Sequence, residues 1–111
     1  MSMTNKINTA IIGATGYTGL DLTLMLSKHP KVKIINLCAT KNLGKKISFF
    51  DKRIKKKNLP KITAVNKINW SVLDLVFLSL PNGEAQKLIS KKFTKYKKIK
   101  FIDLSADFRI N

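Results

Sequence analysis

Apolar residues along the chain fall into short runs separated by polar stretches. Thr9 to Gly13, following Ile7, forms a short apolar run that ends in glycine, as a buried strand would. From Thr18 to Lys28 the spacing predicts a helix. Leu20 and Leu24, then Leu22, Met25 and Leu26, give it a wide apolar face; Thr18 and Asp21 have the spacing of a capping box, and Pro30 stops it. Val32 to Ala39 predicts a second strand, mostly β-branched or apolar. Thr40 to Pro60 is polar and basic, with Gly44 and Pro60 as breakers, and reads as a region containing a loop. Ile62 to Val65 is a short third strand, and Asp74 to Leu80 a strongly apolar fourth, closed by Pro81. Asn82 to about Lys95 predicts a second helix, capped by Asn82, with Ala85, Leu88, Ile89 and Phe93 on one face. Lys100 to Leu104 is a last strand.

Strands that alternate with helices and read as continuous apolar runs predict a mostly parallel sheet covered on both faces. Right-handed crossovers then give a doubly wound α/β domain. Its five strands are one fewer than a full dinucleotide-binding sheet has. No internal repeat or interdomain linker interrupts it, so residues 1–111 are taken as one Rossmann-like domain, incomplete at its C-terminal end. With 44% apolar residues, 111 residues suffice for one core. No apolar run approaches the roughly 20 residues of a membrane span, and Met1 to Asn8 lacks the apolar segment of a secretory signal. Cys38 is the only cysteine and His29 the only histidine, which excludes a disulfide framework and argues against a His/Cys metal site. A reducing cytoplasm fits these absences.

The formal charge of +16 raises nucleic acid as a partner. Its make-up argues otherwise. Only Arg53 and Arg109 are arginine, the residue whose planar fork suits base and phosphate recognition. Lys, Ile and Asn together fill 42 of the 111 positions, a compositional bias that accounts for most of the lysines as solvated surface. No specific nucleic-acid partner is expected.

The chemistry is carried by Gly13, Thr15, Gly16, Tyr17, Thr18 and Gly19, within a G-x-x-G-x-x-G stretch between a strand and a helix. That context makes a glycine turn meaningful. Gly13 turns the chain off the strand, Gly16 leaves room for a pyrophosphate, and Gly19 lets the helix lie close to the sheet. The free N–H groups of the first helical turn then face the phosphates. A sheet that binds NAD usually carries Asp or Glu about 20 residues further on, to hold the ribose 2′-OH. Here that place holds Cys38-Ala39-Thr40-Lys41, and no acid occurs between Asp21 and Asp51. Thr40 can donate to a 2′-phosphate, with Lys41, Lys45 and Lys46 just beyond. NADP is therefore favoured over NAD.

GATGYTGLDL at 13–22, the His29-Pro30 pair, Gly44-Lys45-Lys46, VFLSLPNGEAQ at 76–86 and IDLSADFR at 102–109 occur in this order. Together they resemble the N-terminal part of the N-acetyl-γ-glutamyl-phosphate reductases, within the semialdehyde dehydrogenase superfamily, over nearly the whole chain from Ile7. The aspartate-semialdehyde dehydrogenases are a wider relative, sharing the glycine turn and the chemistry. The resemblance implies NADPH-dependent reduction of an acyl phosphate to an aldehyde in arginine biosynthesis, through a cysteine thioester, with a histidine as acid and base. In the family both residues lie beyond Asn111, and the N-P-G-C-Y stretch around the cysteine is absent here. The chain is thus expected to be a fragment lacking its C-terminal half, inactive alone, from a homo-oligomeric enzyme. The resemblance puts Leu80 and Pro81 on the ribose and nicotinamide side of the cleft. It makes Arg109 a grip for the substrate phosphate, the other reading being a surface charge. Asn82 stands where the family often has His. Cys38 is expected to be a small buried residue, and His29 a capping or surface residue. Two other classes remain beside the oxidoreductase: a stand-alone nucleotide-binding module without catalysis, and a basic nucleic-acid-binding protein.

Overall fold

The computed structural model describes residues 6–56, 58–80, 87 and 95–104. Its centre is β1 (Ile7–Ile12), whose six residues run from an exposed start into four fully buried positions. Helix α1 (Tyr17–Ser27) follows, then β2 (Val32–Cys38), β3 (Ile62–Thr63), β4 (Leu75–Leu78) and β5 (Lys100–Asp103). All pairings are parallel, and the strand order is β3-β2-β1-β4-β5. The chain leaves β1, builds outward through β2 and β3, and returns to the other side of β1 for β4 and β5. The order therefore reverses between β1 and β4, where parallel α/β sheets open a crevice beyond their carboxyl ends.

Side-chain alternation divides the core in two. Ala10, Ile12, Cys38, Val76 and Leu78 face one side, with Ile68, Trp70, Leu73 and Ile99 packed onto them. Ile11, Val32, Ile34, Leu37 and Ile62 face the other, covered by Ala14 and Leu22 and by Ile47 and Ile54. A bulge keeps β1 and β2 in phase: Thr9 pairs with Ile34 but Ala10 with Asn36, so β2 carries one extra residue.

The five strands agree with the sequence expectation, and their ends differ by at most two residues. Helix α1 differs in two respects. It begins at Tyr17, and the cap is Gly16 with no side-chain hydrogen bond, so Thr18 and Asp21 form no capping box. Its buried positions are Gly19, Leu22, Thr23 and Ser27, while Met25 is exposed. Small residues win because the helix lies close to the sheet. Their polarity is hidden locally: the Thr23 hydroxyl donates to Gly19 O at 2.7 Å and the Ser27 hydroxyl to Leu24 O at 2.8 Å. Asp21 instead accepts from Arg53 at 2.9 Å, and Arg53 also grips Asp51, tethering that segment to α1. Side-chain hydrogen bonds from Arg53, aided by its backbone N–H, hold the Asp51 carboxyl below its ordinary range.

The stretch from Thr40 to Pro60 is more than a loop. Ile47–Phe49 is a short 3₁₀ turn, and Ile47 and Ile54 are core residues. Of the helix expected from Asn82 to Lys95, Lys87 and Lys95 are helical; Asn82, Ala85, Leu88, Ile89 and Phe93 lie outside the described residues.

Trp70, 6% exposed, lies 6.4 Å from the Tyr96 ring and 6.2 Å from the Phe101 ring, centroid to centroid. Trp70→Ala is expected to lower the unfolding free energy by about 3–5 kcal/mol. Val72→Ala, at an exposed position, should stay within about 0.5 kcal/mol. Urea titrations of both variants check this, and equal effects would refute the assignment of Trp70 to the core.

Candidate functional site

The site forms where β1, β2 and β4 end. Gly13 leaves β1 with φ +86°, a conformation that favours glycine. Its N–H and that of Ala14 both donate to the Cys38 carbonyl, at 2.8 and 3.0 Å, so the turn is anchored to the end of β2. On its other side the turn touches the exit of β4. A Cβ on Gly13 would collide with the Ser79 carbonyl oxygen, lie 2.8 Å from the Ser79 carbonyl carbon and meet Leu80 Cδ2 at 3.4 Å. Ser79 is in turn held by its N–H on Ile12 O at 2.8 Å.

Gly19 is fixed by the same turn. A Cβ there would run into the Gly13 carbonyl oxygen and sit 2.8 Å from Ala14 Cα. Gly16 is different: its φ is ordinary, at −78°, and a Cβ would meet only Gly13 O, at 3.7 Å. Open space therefore lies over Gly16, at the start of α1. No side chain caps this end, and its first turn carries no acid. The first N–H groups of a helix lack intrahelical acceptors, and the helix dipole makes them attractive to an anion. A cradle that a side chain at Gly16 would begin to fill, beside uncapped N–H groups, fits the phosphates of a dinucleotide. Thr15 is half-buried, whereas Tyr17 and Thr18 are exposed in the first turn.

Thr40 and Lys41 are exposed just past Cys38, on the strand end to which the glycine turn is tied. Of the three lysines expected near this corner, Lys45 is turned toward Phe49, its Nζ 4.9 Å from the ring centroid. Lys46 lines a separate cavity of about 700 Å³ with Ile47, Ile54 and Leu59. Another cavity, of about 510 Å³, opens at Asn8 and Val32, where β1 and β2 begin. Neither cavity is lined by a glycine-turn residue.

The structure thus brings Gly13, Thr15, Gly16, Tyr17, Thr18, Gly19, Thr40, Lys41 and Leu80 to one edge of the sheet. Pro81 and Arg109 lie outside the described residues. Two contributors were invisible in the sequence, the carbonyls of Cys38 and Ser79. They are backbone groups, and only the strand order reveals them.

Cys38 and His29 serve elsewhere. Cys38 is fully buried, with Sγ 3.7 Å from Thr63 Oγ1. Burial pushes its thiol above the ordinary value, only partly offset by Thr63. A protonated, enclosed thiol is a poor nucleophile. His29 lies before β2, at the opposite edge of the sheet, where Nδ1 accepts from the Lys31 N–H at 3.0 Å. Among the described residues no cluster of His, Cys, Asp and Glu could hold a metal ion.

The family model described as semialdehyde dehydrogenase, NAD binding domain, matches residues 8–111. The N-acetyl-gamma-glutamyl-phosphate reductase of Ehrlichia ruminantium (strain Gardel) is 40% identical over 109 residues, covering 97% of this chain and 31% of the relative. That of Afipia carboxidovorans is 36% identical over 110 residues, with the same coverage of each. The chain thus spans about a third of the length of the curated relatives it matches. Among solved structures, aspartate semialdehyde dehydrogenase with NADP from Candida albicans is similar with a TM-score of 0.67 and 24% identity. That match covers 93% of this chain and 30% of the other. Aspartate semialdehyde dehydrogenase II of Vibrio cholerae, complexed with ASA, has a TM-score of 0.65 and 22% identity, covering 93% and 32%. The structural likenesses establish the shared fold.

Two outcomes are expected of the site's residues. Gly13→Ala should cost at least about 2 kcal/mol, from the left-handed backbone and the displaced Ser79 carbonyl, whereas Gly16→Ala should cost less than about 1 kcal/mol. Chemical denaturation distinguishes them, and equal costs would mean that the two glycines are not held differently. The second concerns Cys38. Its pKa is raised on folding, so the folded state disfavours the thiolate. The associated stability is fully present below the unfolded pKa, 9.0, and is lost as pH rises above it. Unfolding free energy should therefore fall more steeply above about pH 9 in the parent than in Cys38→Ala. Parallel pH profiles would show a thiol that ionises freely.

Proposed function

The chain belongs to the semialdehyde dehydrogenase family, in its NAD-binding domain, and on that premise we propose that it holds the cofactor of an NADPH-dependent reductase. The reaction is the conversion of N-acetyl-glutamyl phosphate to N-acetylglutamate semialdehyde, in arginine biosynthesis. The observation that carries this reading is the crevice between the glycine turn and the Ser79–Leu80 exit, with an acid-free corner at the end of β2. The names of the similar reductases supply the substrate.

Each residue then has a task. The N–H groups of the first turn of α1 bind the pyrophosphate over Gly16, flanked by Thr15, Tyr17 and Thr18. Gly13 and Gly19 keep the turn, the helix and β4 close enough for one ligand to span them. Thr40 donates to the 2′-phosphate and Lys41 neutralises it. An Asp or Glu at this corner would repel that phosphate, and none is present between residues 22 and 50. Leu80 and Pro81 give the nicotinamide side an apolar wall. Arg109 receives the substrate phosphate, for which a guanidinium fork is suited. When bound, the cofactor supplies a hydride.

The reaction also needs a thiolate and a base near the nicotinamide. Cys38, enclosed at the β2 end, and His29, at the far edge of the sheet, do not meet that need. The chain by itself therefore binds without turnover, and the remaining length of the family's proteins supplies the nucleophile and the base. The assembled enzyme is a cytoplasmic homo-oligomer, and its lysine-rich surface binds nucleic acid only weakly and without sequence preference.

Calorimetric titration of the chain with NADP and NAD at fixed salt tests the reading, with tighter binding of NADP expected. Thr40→Ala combined with Lys41→Ala should cost roughly 1–3 kcal/mol of NADP binding, since one hydrogen bond and one partly screened charge are lost. NAD binding should be unaffected. Equal affinity for the two dinucleotides, or tighter NAD, would overturn the assignment.

A further inference from the structure

Beyond β2 the chain makes a short excursion whose two ends are tied to neighbouring residues of β3. At the near end the Ala39 N–H donates to Thr63 O at 3.2 Å. At the far end the Gly44 N–H donates to Ile62 O at 2.7 Å, and the Ile62 N–H returns to Lys45 O at 2.9 Å. Ile62 is fully buried, so this reciprocal pair is fixed to the core. Between the two ties lie Thr40, Lys41, Asn42 and Leu43, all exposed.

Closing so short a path takes two left-handed residues. Asn42 has φ 60° and Gly44 φ +88°. Asparagine is among the few side chains that accept this region readily. The Lys45 N–H donates to Asn42 O at 3.3 Å, closing a four-residue turn with Gly44 in its third position. A type II turn needs a positive φ at that place. A Cβ on Gly44 would meet nothing within 4 Å. Glycine is therefore not required there for space, and its backbone conformation is the remaining physical reason for it.

We propose that Asn42 and Gly44 are positioning residues: their left-handed turn locks the excursion onto β3 and so fixes Thr40 and Lys41 for the 2′-phosphate of NADP. This rests on the cofactor reading above and extends it to residues that do not touch the cofactor. A free loop would have to be ordered when the phosphate binds, whereas a loop tied at both ends offers its donors already placed. Lys45 contributes through its backbone, since its ammonium group is turned toward Phe49. The lock acts on the 2′-phosphate alone, because the pyrophosphate cradle over Gly16 is anchored separately through Gly13 and Cys38.

The test compares the parent with Gly44→Ala, Gly44→Asn and Asn42→Gly. Affinity for NADP and for NAD is measured by calorimetry, and amide hydrogen exchange is followed at Gly44 or its replacement and at Ile62. Gly44→Ala should weaken NADP binding about tenfold, leave NAD within about twofold, and speed exchange at both amides. Gly44→Asn should keep most of the parent's preference, because asparagine tolerates the turn and has open space for its side chain. Asn42→Gly should keep it as well. If Gly44→Ala does not fold, Gly44→Asn carries the test, and loss of its NADP preference overturns the lock. Gly44→Ala that exchanges faster yet keeps the parent's preference, or that weakens both dinucleotides equally, also overturns it. A parent that does not distinguish the dinucleotides would instead bring down the cofactor reading, and the lock with it.

Discussion

The approach of β1 to β4 at the Gly13 turn is the constraint from which the rest follows. The Ser79 carbonyl occupies the place where a side chain on residue 13 would be, and the Gly13 carbonyl occupies the place where one on residue 19 would be. The glycine turn, the start of α1 and the exit of β4 thus meet backbone to backbone. Such contact leaves no flexible side chain to absorb error, which is why two of the three glycines cannot be exchanged without moving something. It also sets the sheet's reversal point directly beneath the start of α1. An uncapped helix end and a topological crevice become one place, and a phosphate-bearing ligand can use both.

What the sequence made legible was whatever side-chain period and glycine spacing encode. The five strands stood out because Ala10, Ile11 and Ile12, or Val76, Phe77 and Leu78, are continuous apolar runs with no plausible solvent face. The glycine turn stood out for its place between strand and helix. The buried face of α1 was legible in part: Leu22 is buried and Leu20, Leu24 and Leu26 pack against the core, as the stripe suggested. Gly19, Thr23 and Ser27 were not, because proximity to the sheet selects them for small size rather than for polarity. The segment from Thr40 to Pro60 was equally opaque, because Ile47 and Ile54 enter the core singly, among lysines, with no period to announce them. Of the site, the tight turn at Gly13 and the close approach of the helix at Gly19 were legible. The carbonyls of Cys38 and Ser79 were not, since every residue has one and only the strand order aims them.

The charge has a simple arrangement despite its size. Arg53 joins Asp21 on α1 to Asp51 in the segment that covers β2 and β3. Exposed pairs of this kind contribute little stability each. Their effect here is geometric: Arg53 ties the segment around Asp51 to α1. The positive surface that remains attracts anions at long range and speeds their arrival without choosing among them. Choice is left to the few groups at the strand ends.

The bulge between β1 and β2 has a genetic consequence. Parallel strands send the hydrogen-bonding groups of successive residues to opposite sides, so the extra residue in β2 sets which neighbour each later carbonyl faces. With it in place, Cys38 offers its carbonyl to Gly13 and Ala14, while Ala39 turns its N–H to β3. A single codon lost at residue 35 would leave Ile34 and Asn36 adjacent, opposite Thr9 and Ala10 as before, so Leu37 and Cys38 would keep their partners. A single codon gained beyond the bulge would instead invert the assignment, pointing the anchoring carbonyl away from the turn and sending Leu37 to the wrong core. β2 should therefore accommodate the loss of a residue at its bulge more readily than a gain beyond it.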